Sequence, residues 1–405
     1  MTEVIKLLVV ILFIIFLIRK KWKLEYIILL ASLLLGLLFE LSIGKIILNF
    51  MQAISEPVTI RLIGIIVLVF LLSSILRKIE SLKDIVDALQ KLVKDYRLIL
   101  AFIPSFLGLL PMPAGAMFSA PMVSEIGDRK GLQAEEKTFV NYWFRHIWEF
   151  VWPLYPSILL FSALLEVNVR EIIIVQSPIA LVALILGLVW EQKYLKKDTA
   201  TNRREKTIFN MKKLFFGTWP ILLVIFLVIF IKIDLLISLI VVILSLILLS
   251  RSKLKTADII EIIKKDIPLN TVLLIAGIMI FKRMLQATGA IMVIPELFTE
   301  LGIHPLVILF FIPFLIGFLT GITSAVIGIA FPVLLPFIVQ GEVNLNYAMF
   351  AFVGGYMGHM ISPVHLCLVV TRDYFKADLG KIYKMLIPLL FIILLSALIL
   401  VIVRT

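Results

Sequence analysis

Ionisable side chains stand where an apolar chain has least reason to keep them. Arg145, His146 and Glu149 fall within five residues of one another, and His359 and His365 within seven, all inside otherwise apolar stretches. A charge at membrane depth costs about 2.5–3.5 kcal/mol on insertion scales, so such residues are functional candidates. A guanidinium can hold an anion, and an imidazole or carboxylate can take up and release a proton. Blander roles exist. Arg145 and Glu149 are four apart and can pair on one helix face, and Arg145 is near enough to the expected cytoplasmic end to reach headgroups. His359, in GGYMGHMISPVH, is the candidate ligand of the second pair, and His365 lies past a Ser-Pro break. Lys282 and Arg283 read as snorkelling side chains. Arg372 and Asp373 read as a solvated pair at a helix end.

Two proline-rich runs have to bring these groups together. Phe102 to Val123, FIPSFLGLLPMPAGAMFSAPMV, holds four prolines and two glycines. Each proline removes a backbone donor and clashes one turn back, so a plain spanning helix is disfavoured. Broken backbone at that depth needs protein or a water-filled cavity around it. The run therefore reads as a re-entrant hairpin over 98–127. A second copy, Phe311 to Val333, FIPFLIGFLTGITSAVIGIAFPV, predicts another over 305–339. Aligning Pro104 with Pro313 gives an offset of 209, with five of the first nine positions identical. Broken segments in matching places of two halves point to a transporter's binding site. Their tips supply candidate groups: Pro111, Pro113, Ala114 and Gly115 with nearby Ser119 in the first, and Thr320, Gly321, Thr323 and Ser324 in the second. Helix starts at such tips suit an anion, and freed carbonyls suit a cation. Na+ near Thr323 and Ser324 is one such possibility, and serine or threonine bonded back to its own helix is the alternative.

The neighbouring helices are expected to be interrupted as well. Residues 139–165 would make a rod of roughly 40 Å against a core of about 30 Å. Trp152-Pro153 and Tyr155-Pro156 are its expected breaks. In the matching run 346–371 the weak points are Gly354-Gly355 and Ser362-Pro363. The Asn-Tyr pairs at 141–142 and 346–347 would mark equivalent helix starts, which adds Asn141 to the candidates.

Other spans are read at 4–18, 24–40, 57–76 and 171–190, then at 214–232, 235–250, 269–289 and 386–403. An amphipathic surface helix occupies 77–97, where Ile79, Leu82, Ile85, Val86, Leu89, Leu92 and Val93 recur at three and four. A hydrophilic linker covers 191–213, and a short connector covers 290–304. The predicted fold is an all-α polytopic membrane protein of two inverted repeats, each of five spans plus one hairpin. An odd number of spans turns the second half upside down.

Composition agrees with a membrane protein: 61% of the 405 residues are hydrophobic and mean hydropathy is +1.11. The net charge of +12 does not indicate nucleic acid, because the basic residues sit in short loops. Six predicted cytoplasmic loops, 19–23, 77–97, 128–137, 191–213, 251–268 and 372–385, hold 30 of the 39 Lys and Arg. The positive-inside rule then puts the N-terminus outside and the linker in the cytoplasm of a protein of the cell membrane. The basic RKKWK after the first apolar run marks a span rather than a cleaved signal. The single cysteine, Cys367, excludes an internal disulfide.

The motifs LPMPAGAMFSAPMV, LTGITSAVIGIAFPVL and GGYMGHMISPVHLCLVVTRDYF resemble the domain of unknown function 401 family of integral membrane proteins. That family is grouped with the ion transporter superfamily of dicarboxylate, citrate and gluconate carriers. The resemblance implies a homodimer with scaffold helices at 1–97 and 214–304. It also implies a moving, elevator-type unit at 98–190 and 305–405. Sodium-coupled dicarboxylate carriers of the superfamily have Ser-Asn-Thr at both tips. Here the tips are Pro-Ala-Gly and Ile-Thr-Ser, so two sodium ions and a dicarboxylate are both in doubt, and H+ competes with Na+ as coupling ion.

The expected function is secondary transport of a small organic anion, in particular a carboxylate, with no cofactor. A cation/proton antiporter on the same scaffold is the alternative. An intramembrane hydrolase is remote, for want of HExxH, GxSxG or an Asp pair in a span. An anion channel lacks repeated rings of charge. The site residues are completed by Ser362 and Pro363.

Overall fold

Apolar runs punctuated by proline and glycine fold here into nineteen α-helices among the described residues. The computed structural model describes residues 2–93, 95–109, 115–195, 207–290, 292–293 and 301–404. The first half contains α1 (Thr2–Arg19), α2 (Leu24–Leu38), α3 (Ile43–Ser55), α4 (Pro57–Lys78) and α5 (Ser81–Leu92). It continues with α6 (Tyr96–Gly108), α7 (Ala116–Arg129), α8 (Ala134–His146), α9 (Pro156–Leu165) and α10 (Val169–Tyr194). The second half contains α11 (Thr207–Ile225), α12 (Leu235–Leu249), α13 (Thr256–Lys265) and α14 (Leu269–Ala287). It ends with α15 (Pro305–Thr320), α16 (Thr323–Ile338), α17 (Leu345–Met360), α18 (Leu366–Phe375) and α19 (Leu379–Arg404). A two-residue antiparallel ladder, Val339–Gln340 with Glu342–Val343, joins α16 to α17.

Five stretches are long and apolar enough to cross a membrane: Pro57–Lys78, Val169–Tyr194, Asn210–Phe230, Leu269–Ala287 and Leu379–Arg404. The chain is an all-helical membrane protein on that evidence. The expected spans at 24–40 and 235–250 are helices of 15 residues each, short of the roughly 20 that cross unaided. The connector at 290–304 lies largely outside the described residues, as does the middle of the 191–213 linker. Helices α10 and α11 run into the two ends of that linker.

Two helices were not foreseen. Helix α3 fills the stretch left unassigned between the expected spans 24–40 and 57–76, with Ser42 accepting the Lys45 N–H at 3.4 Å as its cap. It buries Ile46 and Ala53 and exposes Ile43, Ile47 and Met51. Helix α13 occupies the expected loop 251–268 in the corresponding place of the second half.

Repetition shows in backbone detail as well as in element order. Each broken helix has a proline in its break, Pro153 or Pro363, at an offset of 210 (363 − 153). The helix after each break ends in a left-handed residue, Glu166 (φ 58°) or Lys376 (φ 56°), at the same offset. A Cβ on Gly108 would strike the Arg145 carbonyl, and one on Gly317 would strike the carbonyl of Gly355, the residue equivalent to Arg145. Each glycine thus lets the first arm of a proline-rich pair touch the backbone of its broken helix. The register contradicts the Asn-Tyr alignment. Asn141 lies well inside α8, whereas Asn346 opens α17.

The halves interlock. Helix α18 packs on α7 and α8, α16 on α9, and α19 on α10. Tilted and edge-on aromatic rings fill the seam: Phe150 lies 4.3 Å from Tyr356 and Phe161 lies 4.8 Å from Phe331, centre to centre. Both proline-rich pairs are helix–break–helix units whose arms pack on each other, α6 with α7 and α15 with α16.

Candidate functional site

Both broken helices open where their prolines require it. Helix α8 tightens into a 3-10 turn at Ile147–Phe150, and α9 restarts at Pro156. Helix α17 stops at Met360 and α18 restarts at Leu366. The Gly354-Gly355 weak point is not a break. Both glycines are buried within α17, where Cβ atoms would collide with Phe310 and Val326, so they serve close helix approach.

The two openings face each other across a cavity of about 630 Å³. Its wall includes Arg145, His146, Glu149, His359, His365 and the second tip from Thr320 to Ser324. The start of α14, Pro268 to Thr271, and Phe70 of α4 close the other side.

Glu149 and His359 occupy equivalent places in the two halves (359 − 149 = 210). Their Oε2 and Nε2 atoms lie 3.5 Å apart. Thr323 donates its hydroxyl hydrogen to Glu149 Oε2 at 2.6 Å, so the second tip grips the broken helix of the first half. Beyond His359 the histidines connect: Nδ1 of His359 and His365 are 2.9 Å apart, and Nε2 of His365 and His146 are 3.1 Å apart. Nδ1 of His146 lies 2.6 Å from the Tyr142 carbonyl. All three rings and the carboxylate are buried. Across the Ser362-Pro363 break the His359 and His365 rings meet, centres 4.0 Å apart, so His365 is a full member of the cluster rather than a residue beyond it.

Arg145 corrects two expectations. It is 6% exposed and does not reach headgroups. Nor does it pair with Glu149 among the described residues. The 3-10 turn, with its three residues per turn, places Glu149 near His146 instead, at 4.0 Å. The guanidinium packs against Gly115, and its buried Nη1 has no hydrogen-bond partner among the described residues.

Four helices begin at this cavity: α9, α14, α16 and α18 contribute first-turn residues to its wall. Their cap residues, Tyr155, Pro268, Ile322 and His365, make no side-chain cap hydrogen bond. Elsewhere, Ser42, Asp95, Asn168, Asp234, His304 and Asn344 each accept from the first turn of their helices, while α2, α4 and α7 also start without a side-chain cap. Uncapped starts present backbone N–H groups and a positive dipole end.

Several expected residues do other work. Asn141 donates to the Ala116 carbonyl at 3.2 Å and to Thr371 Oγ1 at 3.1 Å, tying α8 to α7 and α18. Ser119 and Thr320 bond back to their own helices, to Ala116 and Ile316. Ser362 donates to Phe318 at 2.7 Å. Gly321 takes a left-handed φ of 62° against His365. Pro363 is exposed and outside the cavity wall, and Ser324 is half-buried and on it. Pro111, Pro113 and Ala114 lie outside the described residues. Lys282 meets Glu166 at 2.9 Å and Arg283 binds Asn49 and Gln52 on α3. Arg372 and Asp373 pair in the open as expected.

Sequence reasoning missed the α14 start, Tyr142, Tyr155 and Cys367. Tyr155 donates to the Gly108 carbonyl at 2.5 Å and pins the first opening to α6; its place beside Pro156 was a usable signal. Side chains of His146, Glu149 and His359, or of His146, His365 and Cys367, come within 4.8 Å of one another. In the cluster His146 Nε2 is already engaged by His365.

A family model described as "Protein of unknown function (DUF401)" matches residues 2–403. No curated protein matches the chain.

Proposed function

The chain belongs to the DUF401 family, whose function is unknown, and from its cavity we propose that it is a secondary transporter of a small organic anion. The observation that carries this reading is one cavity lined by four uncapped helix starts and by a buried guanidinium with an unpartnered nitrogen. An isolated buried cation costs several kcal/mol. An anion would offset that cost and cap the helices together. Each helix start contributes about 0.3–1 kcal/mol to a nearby anion, and a hydrogen bond to a charged group about 1.5–3. Together they amount to roughly 3–7 kcal/mol, against about 4 for millimolar and 8 for micromolar binding. A carboxylate suits the planar fork of Arg145.

The repeat supports alternating access. Two inverted halves would set the proline-rich pairs as re-entrant hairpins entering from opposite faces, with the cavity at their meeting point. The coupling ion is H+ or Na+. The Glu149–histidine cluster supports H+, and Thr323, the sodium candidate, gives its hydroxyl hydrogen to Glu149 and keeps its oxygen lone pairs. A cation/proton antiporter would set its substrate beside unpaired Arg145, so the geometry favours the anion.

A thermal-shift screen of carboxylates, amino acids and inorganic anions should find stabilising ligands. Uptake of the best ligand into proteoliposomes should follow an imposed ion gradient. Ion exchange without any organic anion would overturn the proposal.

A further inference from the structure

The histidine cluster has a direction, and one atom sets it. A carbonyl oxygen only accepts, so His146 Nδ1, 2.6 Å from the Tyr142 carbonyl, carries a hydrogen. In the neutral ring Nε2 is then the acceptor, and His365 Nε2 donates to it across 3.1 Å. That leaves His365 Nδ1 as an acceptor, so His359 Nδ1 donates across 2.9 Å. His359 Nε2 is left with a bare lone pair. It faces Glu149 Oε2 at 3.5 Å and has no hydrogen-bond partner among the described residues. Two acceptors facing each other across that gap make a place for one proton.

We infer that these four side chains form a proton store of fixed polarity, filled at the Glu149–His359 contact and blind at the Tyr142 end. Filling is balanced simply: one proton from cavity water joins His359 Nε2 or the carboxylate, and the cluster gains one positive charge. The charge can pass along the string by transfer from His359 Nδ1 to His365 Nδ1, then from His365 Nε2 to His146 Nε2. It stops there, because the carbonyl takes no proton. Arg145, Tyr142, Tyr155, Tyr356 and Cys367 are the other titratable groups around the string, with Thr323 donating to the carboxylate from α16. As the coupling site of a transporter, which rests on the function proposed above, the store would pair one proton with one anionic charge. The polarity of the string does not depend on that function.

The test is 15N-histidine NMR of the full chain in nanodiscs. The chain has four histidines, assignable by single His→Gln variants. Exposed His304, whose Nδ1 accepts from Leu306 N–H at 3.2 Å, supplies an Nε2–H reference. The neutral spectrum should show Nδ1–H rings for His146 and His359 and Nε2–H rings for His365 and His304. Acidification should add one proton to the string, and Glu149→Gln should lose that uptake over the same pH range while Glu149→Asp keeps it. In the neutral spectrum an Nδ1–H ring at His365, or on titration uptake of two protons, or metal-type shifts of all three rings on adding one equivalent of Zn2+, would overturn the inference. Failure of the uptake assay would leave the spectra unchanged, so the two readings fall separately.

Discussion

Arg145 tests the anion reading most directly. Arg145→Lys keeps the charge but loses the planar fork, and the two are not interchangeable at a bidentate site. We expect ligand affinity to fall about tenfold or more in Arg145→Lys, on the roughly 1.5–3 kcal/mol of a charge-assisted bond. Arg145→Met should lose the response altogether while folding at least as well, because it removes a buried cation without a partner. Titration calorimetry with the best anion from the screen measures both. Thr323 is tested the same way. Thr323→Ser should retain uptake and Thr323→Ala should abolish it with folding intact, since only the hydroxyl reaches Glu149. Equal uptake by both variants would remove the second tip from the site. The candidates were legible as rare charges in apolar runs, but their grouping was not. His365 joined across a helix break that spacing on a regular helix cannot show, and Arg145 and Glu149 separated because one turn tightened.

Among the elements, the proline-rich pairs and broken helices were visible because proline has a fixed backbone cost wherever it stands. Helices α3 and α13 escaped because they are 13 and 10 residues long. They mix apolar and polar residues at a period that no span-length run reveals. Gly354 and Gly355 looked like weak points because glycine marks breaks and close packing alike. The glycines that seat each proline-rich pair carry a prediction. Gly108→Ala and Gly317→Ala would each drive a methyl group into backbone rather than into a flexible side chain. Overpacking of this kind costs about 1–3 kcal/mol. Both should lower the melting temperature, whereas Gly44→Ala, with open space around it, should not. Equal melting of all three would contradict the close contacts.

At the scale of the whole molecule, one ion pair joins the two expected bodies. Lys282 of α14 belongs to the expected scaffold, and Glu166, at the end of α9, to the expected moving unit. As an ion pair it contributes little, about 1 kcal/mol or less, because Glu166 is largely exposed. It is more useful as a ruler. In a Cys367→Ser background, which removes the only native cysteine, Glu166→Cys with Lys282→Cys should be bridged by a short reducible bis-thiosulfonate cross-linker that spans the length of the two lost side chains. Uptake should stop on cross-linking and return on reduction if the bodies slide past one another. Full uptake by the cross-linked form would rule out motion at this seam.

The unfinished helix starts have a consequence for handling the protein. One comes from the first half and three from the second, so an anion bound in the cavity would act as a shared keystone. Protein stripped of it should be the least durable preparation, losing shape soonest when warmed or left in detergent. Longevity on the bench then becomes a compass for the missing substrate, readable before any transport has been measured.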